Sequence, residues 1–453
     1  MSNILCTIGP VSQNFNNLKK VLKYSKFVRL NGAHNTIEWH KKISNLIKKI
    51  SPNCKILIDL PGIKPRTENL NDLKIKKNEI VKFYFSKKKL KKQKNLLNIP
   101  LTKPLPKYGN IKNFTLSDGR YNFKYISSGK NFIIGKSLNE FNLFPKKGLN
   151  IPGSIYSDKL QEKVYLSFLK KISKLKFDAV GLSYVQNSNI IKSIKKKSSK
   201  IIVSKIENTL GCNNVKEICE NSDIIMIDRG DLSAEIGANN LYDEIIKISK
   251  FSKKNGKLLI MATENLESML YNHSPSKSEI ISLSFSKSLN ADYLMLSDET
   301  ATSKKFLSII KWFKDFNEID NKENKFKKSK NNKTQDIFSS LSKVDAKSSR
   351  IVIFTRKGYV IEKILNINPN FKLFVFTDSQ KIYDLSSLRY NVHVVKTNNF
   401  KRTMDNFIYT QIDKYKKSIF CGNDDVFLIY AAFARKNSRA NTISVLNKKD
   451  FYL

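Results

Sequence analysis

Cysteine is scarce in these 453 residues: Cys6, Cys54, Cys212, Cys219 and Cys421, odd in number and without a CxxC pair. A disulfide framework or a cysteine zinc site is therefore not expected, and a reducing cytoplasm fits best. No apolar run approaches the ~18 residues of a membrane span, so an integral membrane protein is not expected. Residues 1–10 (MSNILCTIGP) lack the basic start and apolar stretch of a signal peptide and read at once as a strand and turn. Arginine is scarce too. Only ten of the 82 basic residues are arginine, and the formal charge of +43 is almost entirely lysine. A nucleic-acid surface concentrates charge on one face, usually with arginine and aromatics interleaved. Here the densest runs (Lys87–Lys94, Lys195–Lys200, Lys325–Lys333) are scattered and arginine-free. Lysine, asparagine and isoleucine share A/T-rich codons, so drift in base composition accounts for the charge and nucleic-acid binding is not expected.

What is present is enough for real cores, with 40% hydrophobic and 11% aromatic residues. Eight short apolar runs recur: Asn3–Thr7, Phe27–Leu30, Lys55–Leu60, Ala179–Tyr184, Ile201–Ser204, Ile224–Asp228, Leu258–Ala262 and Tyr293–Leu296. Segments with apolar residues at helical spacing lie between them, such as Phe15–Tyr24, Ile37–Ile50, Leu241–Asn255 and Glu279–Leu289. The alternation predicts an α/β fold, a closed (β/α)8 TIM barrel with its site at the strands' C-terminal ends. It occupies 1–64 and 151–316. From 65 to 150 the pattern changes to short alternating segments (Ile80–Phe85, Tyr121–Tyr125, Phe132–Ile134) with turns at Ser117-Asp118-Gly119 and Lys146-Lys147-Gly148. This predicts a small all-β lid inserted at the active-site end. A polar linker follows at 317–335. A C-terminal α/β domain at 336–453 is expected to have strands near Arg350–Thr355, Lys372–Thr377, Val392–Lys396, Ser418–Cys421 and Thr442–Val445.

The residues following the barrel strands carry the chemistry. They are Arg29 and Asn31, Asp59, Ser183, Lys205 and Glu207, Arg229-Gly230-Asp231, Thr263, and Ser297 with Glu299. Glu207 and Asp231 on adjacent strand ends can share one hard divalent ion. Lys205 and Arg29 at the same rim suit a phosphorylated, carboxylate-bearing substrate, and Gly230 lets a backbone N–H approach an anion. Cations around a transferring phosphoryl group are what that reaction requires. Arg229 reads as structural, salt-bridging across the rim.

These stretches resemble the pyruvate kinases from end to end. The resemblance is carried by Cys6-Thr7-Ile8-Gly9-Pro10, Arg29-Leu30-Asn31 with His34, Asp59 with Gly62, Arg66 and Thr67, and Lys147-Gly148-Leu149-Asn150-Ile151-Pro152-Gly153. It continues through Ser204-Lys205-Ile206-Glu207-Asn208, Arg229-Gly230-Asp231-Leu232, Ala262-Thr263 and Ser297 with Glu299-Thr300-Ala301. The resemblance implies the last step of glycolysis: phosphoryl transfer from phosphoenolpyruvate to ADP, giving ATP and pyruvate. Glu207 and Asp231 would hold magnesium, with manganese as a substitute. Lys205, Arg29 and Thr263 would be catalytic, and Gly230, Asp231 and Thr263 would bind the substrate carboxylate. Asn31, His34, Arg66 and Lys147 would lie near the nucleotide. A homotetramer is implied too. Where many members bind potassium near Asn31 and Asp59, this chain has Leu60 and Lys64 in place of a threonine and a glutamate, so Lys64 is expected to replace the ion. The effector loop of sugar-phosphate-regulated members corresponds to Thr355–Val360, which keeps one hydroxyl and one glycine, so such activation is not expected. A metal-dependent aldolase or lyase on a similar barrel, and a basic nucleic-acid-binding or scaffold protein, are the competing readings.

Overall fold

The computed structural model describes residues 3–86, 96–318, 348–398, 404–421, 425–430 and 442–451, with six positions between 338 and 346. The lysine runs 87–94 and 325–333 lie outside these residues, as does most of the expected linker. Two units emerge, one holding the barrel and its insertion and one the C-terminal segment from Asn317.

The eight apolar runs form a closed barrel in which each strand neighbours the next in sequence and the eighth closes on the first. The strands are Asn3–Thr7, Phe27–Asn31, Lys55–Asp59, Ala179–Leu182, Ile201–Ile206, Ile224–Asp228, Leu258–Ala262 and Tyr293–Leu296. Alternation along each strand sends one set of side chains to the surrounding helices and the other into the barrel. On the second, third, fifth and sixth strands, Val28, Leu30, Ile56, Ile58, Ile202, Ile206, Ile225 and Ile227 join the helix-facing core. Phe27, Arg29 and Asn31, Leu57 and Asp59, Lys205 and Glu207, and Met226 and Asp228 therefore take the inner set. Polar members of that set fall at the C-terminal ends.

The opposite end is tied by a recurring aspartate. Asp178 accepts from the Ile56 N–H at 2.9 Å and from Lys48 Nζ at 2.8 Å. Asp223 accepts from the Ile202 N–H at 2.9 Å, and Asp292 from the Leu259 N–H at 2.7 Å. Each precedes an even-numbered strand and caps the backbone of the odd-numbered strand before it. Pairing requires a buried donor to be satisfied, so each carboxylate stabilises the end that carries no chemistry.

Between the third and fourth strands stands an all-β insertion: a six-stranded sheet and a two-stranded one, with strands from Leu73 to Asn150. Its core is Phe83, Phe114 and Phe123, whose rings pack edge-on or stacked at 5.2–5.9 Å. The turn Ser117-Asp118-Gly119 has three successive positive φ values, 55°, 57° and 87°. Glycine supplies the last at no steric cost.

The C-terminal unit has a five-stranded sheet in the order Val392–Lys396, Lys372–Thr377, Ser349–Phe354, Asp425–Tyr430, Thr442–Leu446, with only the last strand antiparallel to its neighbour. The strand expected near Ser418–Cys421 is not there. Ser418 and Ile419 finish the helix Met404–Ile419, whose Ile408, Ile412 and Ile419 share a buried face, and the strand lies at Asp425–Tyr430.

Asp223→Ala and Asp292→Ala should each cost about 1–3 kcal/mol of stability by orphaning a strand N–H, while kcat stays within about twofold because the site is at the far end. Urea melts and steady-state assays of both variants check this. A variant with unchanged melting contradicts it.

Candidate active site

The centre of the mouth is the ammonium of Lys205. It lies 2.7 Å from Glu207 Oε1, 3.3 Å from Asp228 Oδ2 and 3.4 Å from Asp59 Oδ2. Asp59 is shared with Arg29, whose Nε and Nη2 donate to Oδ2 at 2.9 and 2.7 Å. All five side chains are buried. Burial opposes charge on Lys205, yet Asp59, Glu207 and Asp228 together hold its pKa well above the usual lysine range. Asp59 likewise stays below the usual carboxylate range because Lys205 and Arg29 outweigh its burial. Glu207 goes the other way. Burial, reinforced by Asp228 and Asp231 and opposed by Lys205, pushes it up to about 8.

Glu207, Asp228 and Asp231 bring one carboxylate oxygen each to within 4.8 Å of one another. Glu207 accepts from the Tyr184 N–H at 2.6 Å through Oε2, while its buried Oε1 is ion-paired with Lys205 at 2.7 Å. Rich in carboxylate oxygens, this donor set fits a hard divalent cation, which would displace the proton that burial favours on Glu207.

Thr263 stands next to it. Its Oγ1 accepts from the Gly230 N–H at 3.0 Å and can donate to the Ala262 carbonyl at 2.7 Å or to Asp228 Oδ1 at 3.2 Å. Thr263 itself has φ +61°, a conformation a β-branched residue adopts at a cost of order 1–3 kcal/mol. Arg229 does not form the expected salt bridge across the rim. It donates to the carbonyls of Ala262 and Thr263, to Ser282 Oγ at 2.6 Å and to Asn265 Oδ1 at 2.9 Å, and so stitches the loop behind Thr263. Glu299 accepts from the Ser297 N–H at 2.6 Å and is buried away from this cluster's ion pairs.

Lys64 is buried, and its partners are Asp231 and, at 3.2 Å, Asp118 of the lid turn. These hold its ammonium charged against the effect of burial, and Lys64 in turn holds Asp231 well below the usual carboxylate range. Gly148 is required for this: a Cβ there would sit 2.6 Å from Lys64 Cε. The structure thus places Lys64 with the carboxylates of the cation cluster. Asn31 Oδ1 accepts instead from the Ala33 N–H at 3.1 Å, and the Leu60 carbonyl accepts from Ser183 Oγ at 3.3 Å. His34 is exposed, with its pKa lowered by desolvation and by the charges of Arg66 and Arg29. Arg66 donates to the Lys146 carbonyl at 3.2 Å, and Lys147 Nζ lies 5.9 Å from the Phe144 ring. Arg66 pairs with Gly148 across an isolated bridge at the lid's root.

Three carboxylates here were not singled out from sequence. Asp228 ends the sixth strand on its inner face, which the period of two could have shown. Asp118 was noticed only as turn chemistry. Glu235 is 2% exposed and neither oxygen completes a hydrogen bond. It borders a cavity of about 600 Å³ between lid residues 110–113 and the barrel.

Family profiles match the chain twice: "Pyruvate kinase, barrel domain" over residues 1–307 and "Pyruvate kinase, alpha/beta domain" over residues 339–446. The chain is 28% identical over 393 residues to a pyruvate kinase of Thermoplasma acidophilum, spanning 84% of this chain and 70% of that one. It is 25% identical over 437 residues to one from Borreliella burgdorferi, spanning 92% and 90%. It is 26% identical over 474 aligned positions to one from Thermotoga maritima, spanning 98% and 99%.

Burial pushes Glu235 from an ordinary 4.5 up to about 8. The folded state therefore keeps a proton that the unfolded chain gives up, and stability falls as pH rises between those values. Glu235→Gln should melt a few degrees above wild type at pH 8.5 and level with it below pH 5. A gap that does not change with pH in thermal melts would refute the assignment.

Proposed function

The chain belongs to the pyruvate kinase family and is a phosphotransferase, and from that premise we propose that it moves the phosphoryl group of phosphoenolpyruvate to ADP with a divalent cation held by Glu207 and Asp231 and without a potassium ion. The observation that carries this reading is the Lys205 ammonium, buried and permanently charged among Asp59, Glu207 and Asp228 at the rim that also presents Arg29.

A divalent cation bound at Glu207 and Asp231 would polarise the substrate oxygens and neutralise charge on the phosphoryl group. The chain's own residues do the rest. Arg29 and Lys205 are fixed donors whose direction is set before substrate arrives, so little reorganisation is needed when charge shifts from the enol oxygen to the phosphoryl oxygens. The Gly230 and Asp231 N–H groups open the helix Arg229–Ile236, where backbone donors favour a carboxylate, the Gly230 N–H exchanging Thr263 Oγ1 for the substrate. Thr263, with its hydroxyl hydrogen free to choose between two acceptors, is suited to the relay that protonates the enolate. Asn31, His34, Arg66 and Lys147 supply the nucleotide side, and an unprotonated His34 accepts or donates one hydrogen bond without adding charge.

Lys64 supports the absence of a potassium requirement in a specific way. Its ammonium is a built-in monovalent charge at the junction of barrel and lid, held on Asp231 and Asp118. A homotetramer and a cytoplasmic setting belong to the same reading. In the C-terminal unit Arg356 is paired with Asp378 at 2.8 Å. This supports weak or absent sugar-phosphate activation, which titrating fructose 1,6-bisphosphate against the phosphoenolpyruvate saturation curve tests; a marked left shift refutes it.

ATP formation from phosphoenolpyruvate, ADP and magnesium should be abolished by chelation and reduced by about 10²–10³-fold in Lys205→Met, the range for removing one preorganised donor. In tetramethylammonium buffer, added potassium should change kcat by less than about twofold, whereas Lys64→Glu should become dependent on it. Absence of ATP formation in the wild type favours the aldolase or scaffold readings, and strong potassium stimulation removes Lys64 from its role.

A further inference from the structure

Asp228 belongs to no motif that carries the family resemblance, yet it stands in the middle of the site. It closes the sixth strand, is 7% exposed, and reaches Lys205 Nζ at 3.3 Å with Oδ2 and Thr263 Oγ1 at 3.2 Å with Oδ1. One of its oxygens lies within 4.8 Å of an oxygen from each of Glu207 and Asp231. Oxygens bound to one ion of Mg²⁺ or Mn²⁺ size are about 3–4.4 Å apart, given metal–oxygen distances near 2.1–2.2 Å. The three are therefore nearly in coordinating positions as they stand. Glu207 Oε1, the oxygen this residue turns toward the cluster, is fully buried and faces the Lys205 ammonium at 2.7 Å.

We propose that Asp228 is a third protein carboxylate for the divalent cation, so that it tightens the hold of this chain on the cation in the absence of substrate. The inference rests on the reading of Glu207 and Asp231 as cation ligands. With two protein carboxylates, water and substrate oxygens complete most of the shell. A third carboxylate adds charge and one more fixed ligand. It also resolves a conflict at Lys205. Left uncompensated, Asp228 competes with an incoming phosphoryl group for the ammonium and for the Thr263 hydroxyl. With its charge satisfied by a cation, both donors are released toward substrate. Asp228 thereby couples cation loading to the readiness of two other side chains.

Mn²⁺ binding to the full chain without phosphoenolpyruvate or nucleotide, read from the free-ion signal by electron paramagnetic resonance, tests this. Wild type should bind one Mn²⁺ saturably. Asp228→Asn should weaken that binding tenfold or more, and Asp228→Glu should recover most of it, which a merely structural role would not do. Thermal melts in chelator identify a variant that fails to fold, in which case Asp228→Ser takes its place. If Asp228→Asn binds Mn²⁺ like wild type while Glu207→Gln does not, or if wild type binds none without substrate, Asp228 is only a counter-ion and the inference is overturned. If Glu207→Gln also binds like wild type, it is the assignment of the cation ligands that falls.

Discussion

A single ammonium surrounded by three carboxylates is the constraint on which the mouth of this barrel depends. Lys205 cannot be neutral among Asp59, Glu207 and Asp228, and those acids cannot all be charged without it. Withdrawing any of these groups from water costs several kcal/mol in a protein interior, and only pairing offsets that cost. The compensation here is incomplete. Arg29 serves Asp59 and Lys64 serves Asp231, but burial and the neighbouring Asp228 and Asp231 still push Glu207 above the usual carboxylate range. A divalent cation would relieve what the protein alone leaves unbalanced, and an anionic substrate would be accepted there only with that added positive charge in place.

The two ends of the barrel are built on opposite principles. At the strands' N-terminal end, Asp178, Asp223 and Asp292 each meet a backbone N–H that would otherwise be orphaned. Those aspartates are matched to donors and hold the strands in register. At the C-terminal end the acids outnumber their cations and Thr263 adopts φ +61°. Stability gathered at one end tolerates strain at the other. The same residue type thus acts as a fastener or as a reactive group according to which end of a strand it occupies.

Much of this could be read in the sequence because strand geometry has a fixed period. Lys205 and Glu207 are two apart and must face the same way; so are Arg29 and Asn31. The eight barrel strands followed from apolar runs whose helix-facing residues are Ile, Val and Leu. What escaped depends on long-range pairing. Asp118 and Asp231 lie 54 and 167 residues from Lys64, and no local pattern joins them. Asp228 was legible in principle, as an inner-face residue after Ile224 and Met226, although it stands just outside the Arg-Gly-Asp stretch. In the C-terminal unit, Ser418-Ile419-Phe420-Cys421 alternates like a strand. Packing of Ile419 on the helical stripe of Ile408 and Ile412 overrides that local signal.

The lid's attachment follows from the same electrostatics. Two ion pairs cross from its turn to the barrel: Asp118 to Lys64, and Arg120 to Glu267. In both, the lid's partner is solvent-exposed, 56% for Asp118 and 63% for Arg120. Pairs of that kind contribute about 0–1 kcal/mol each, since water replaces the lost partner at little cost. The buried pair, Lys64 with Asp231, lies wholly on the barrel side of the hinge and need not break when the turn lifts. Backbone bonds between Lys107 and Ile155 and a bond from Lys103 Nζ to the Gly62 carbonyl also join the insertion to the barrel, and they hold it independently of the turn. The turn is thus tied to the barrel through exposed partners, whereas the charged centre is held by pairs among the barrel's own side chains.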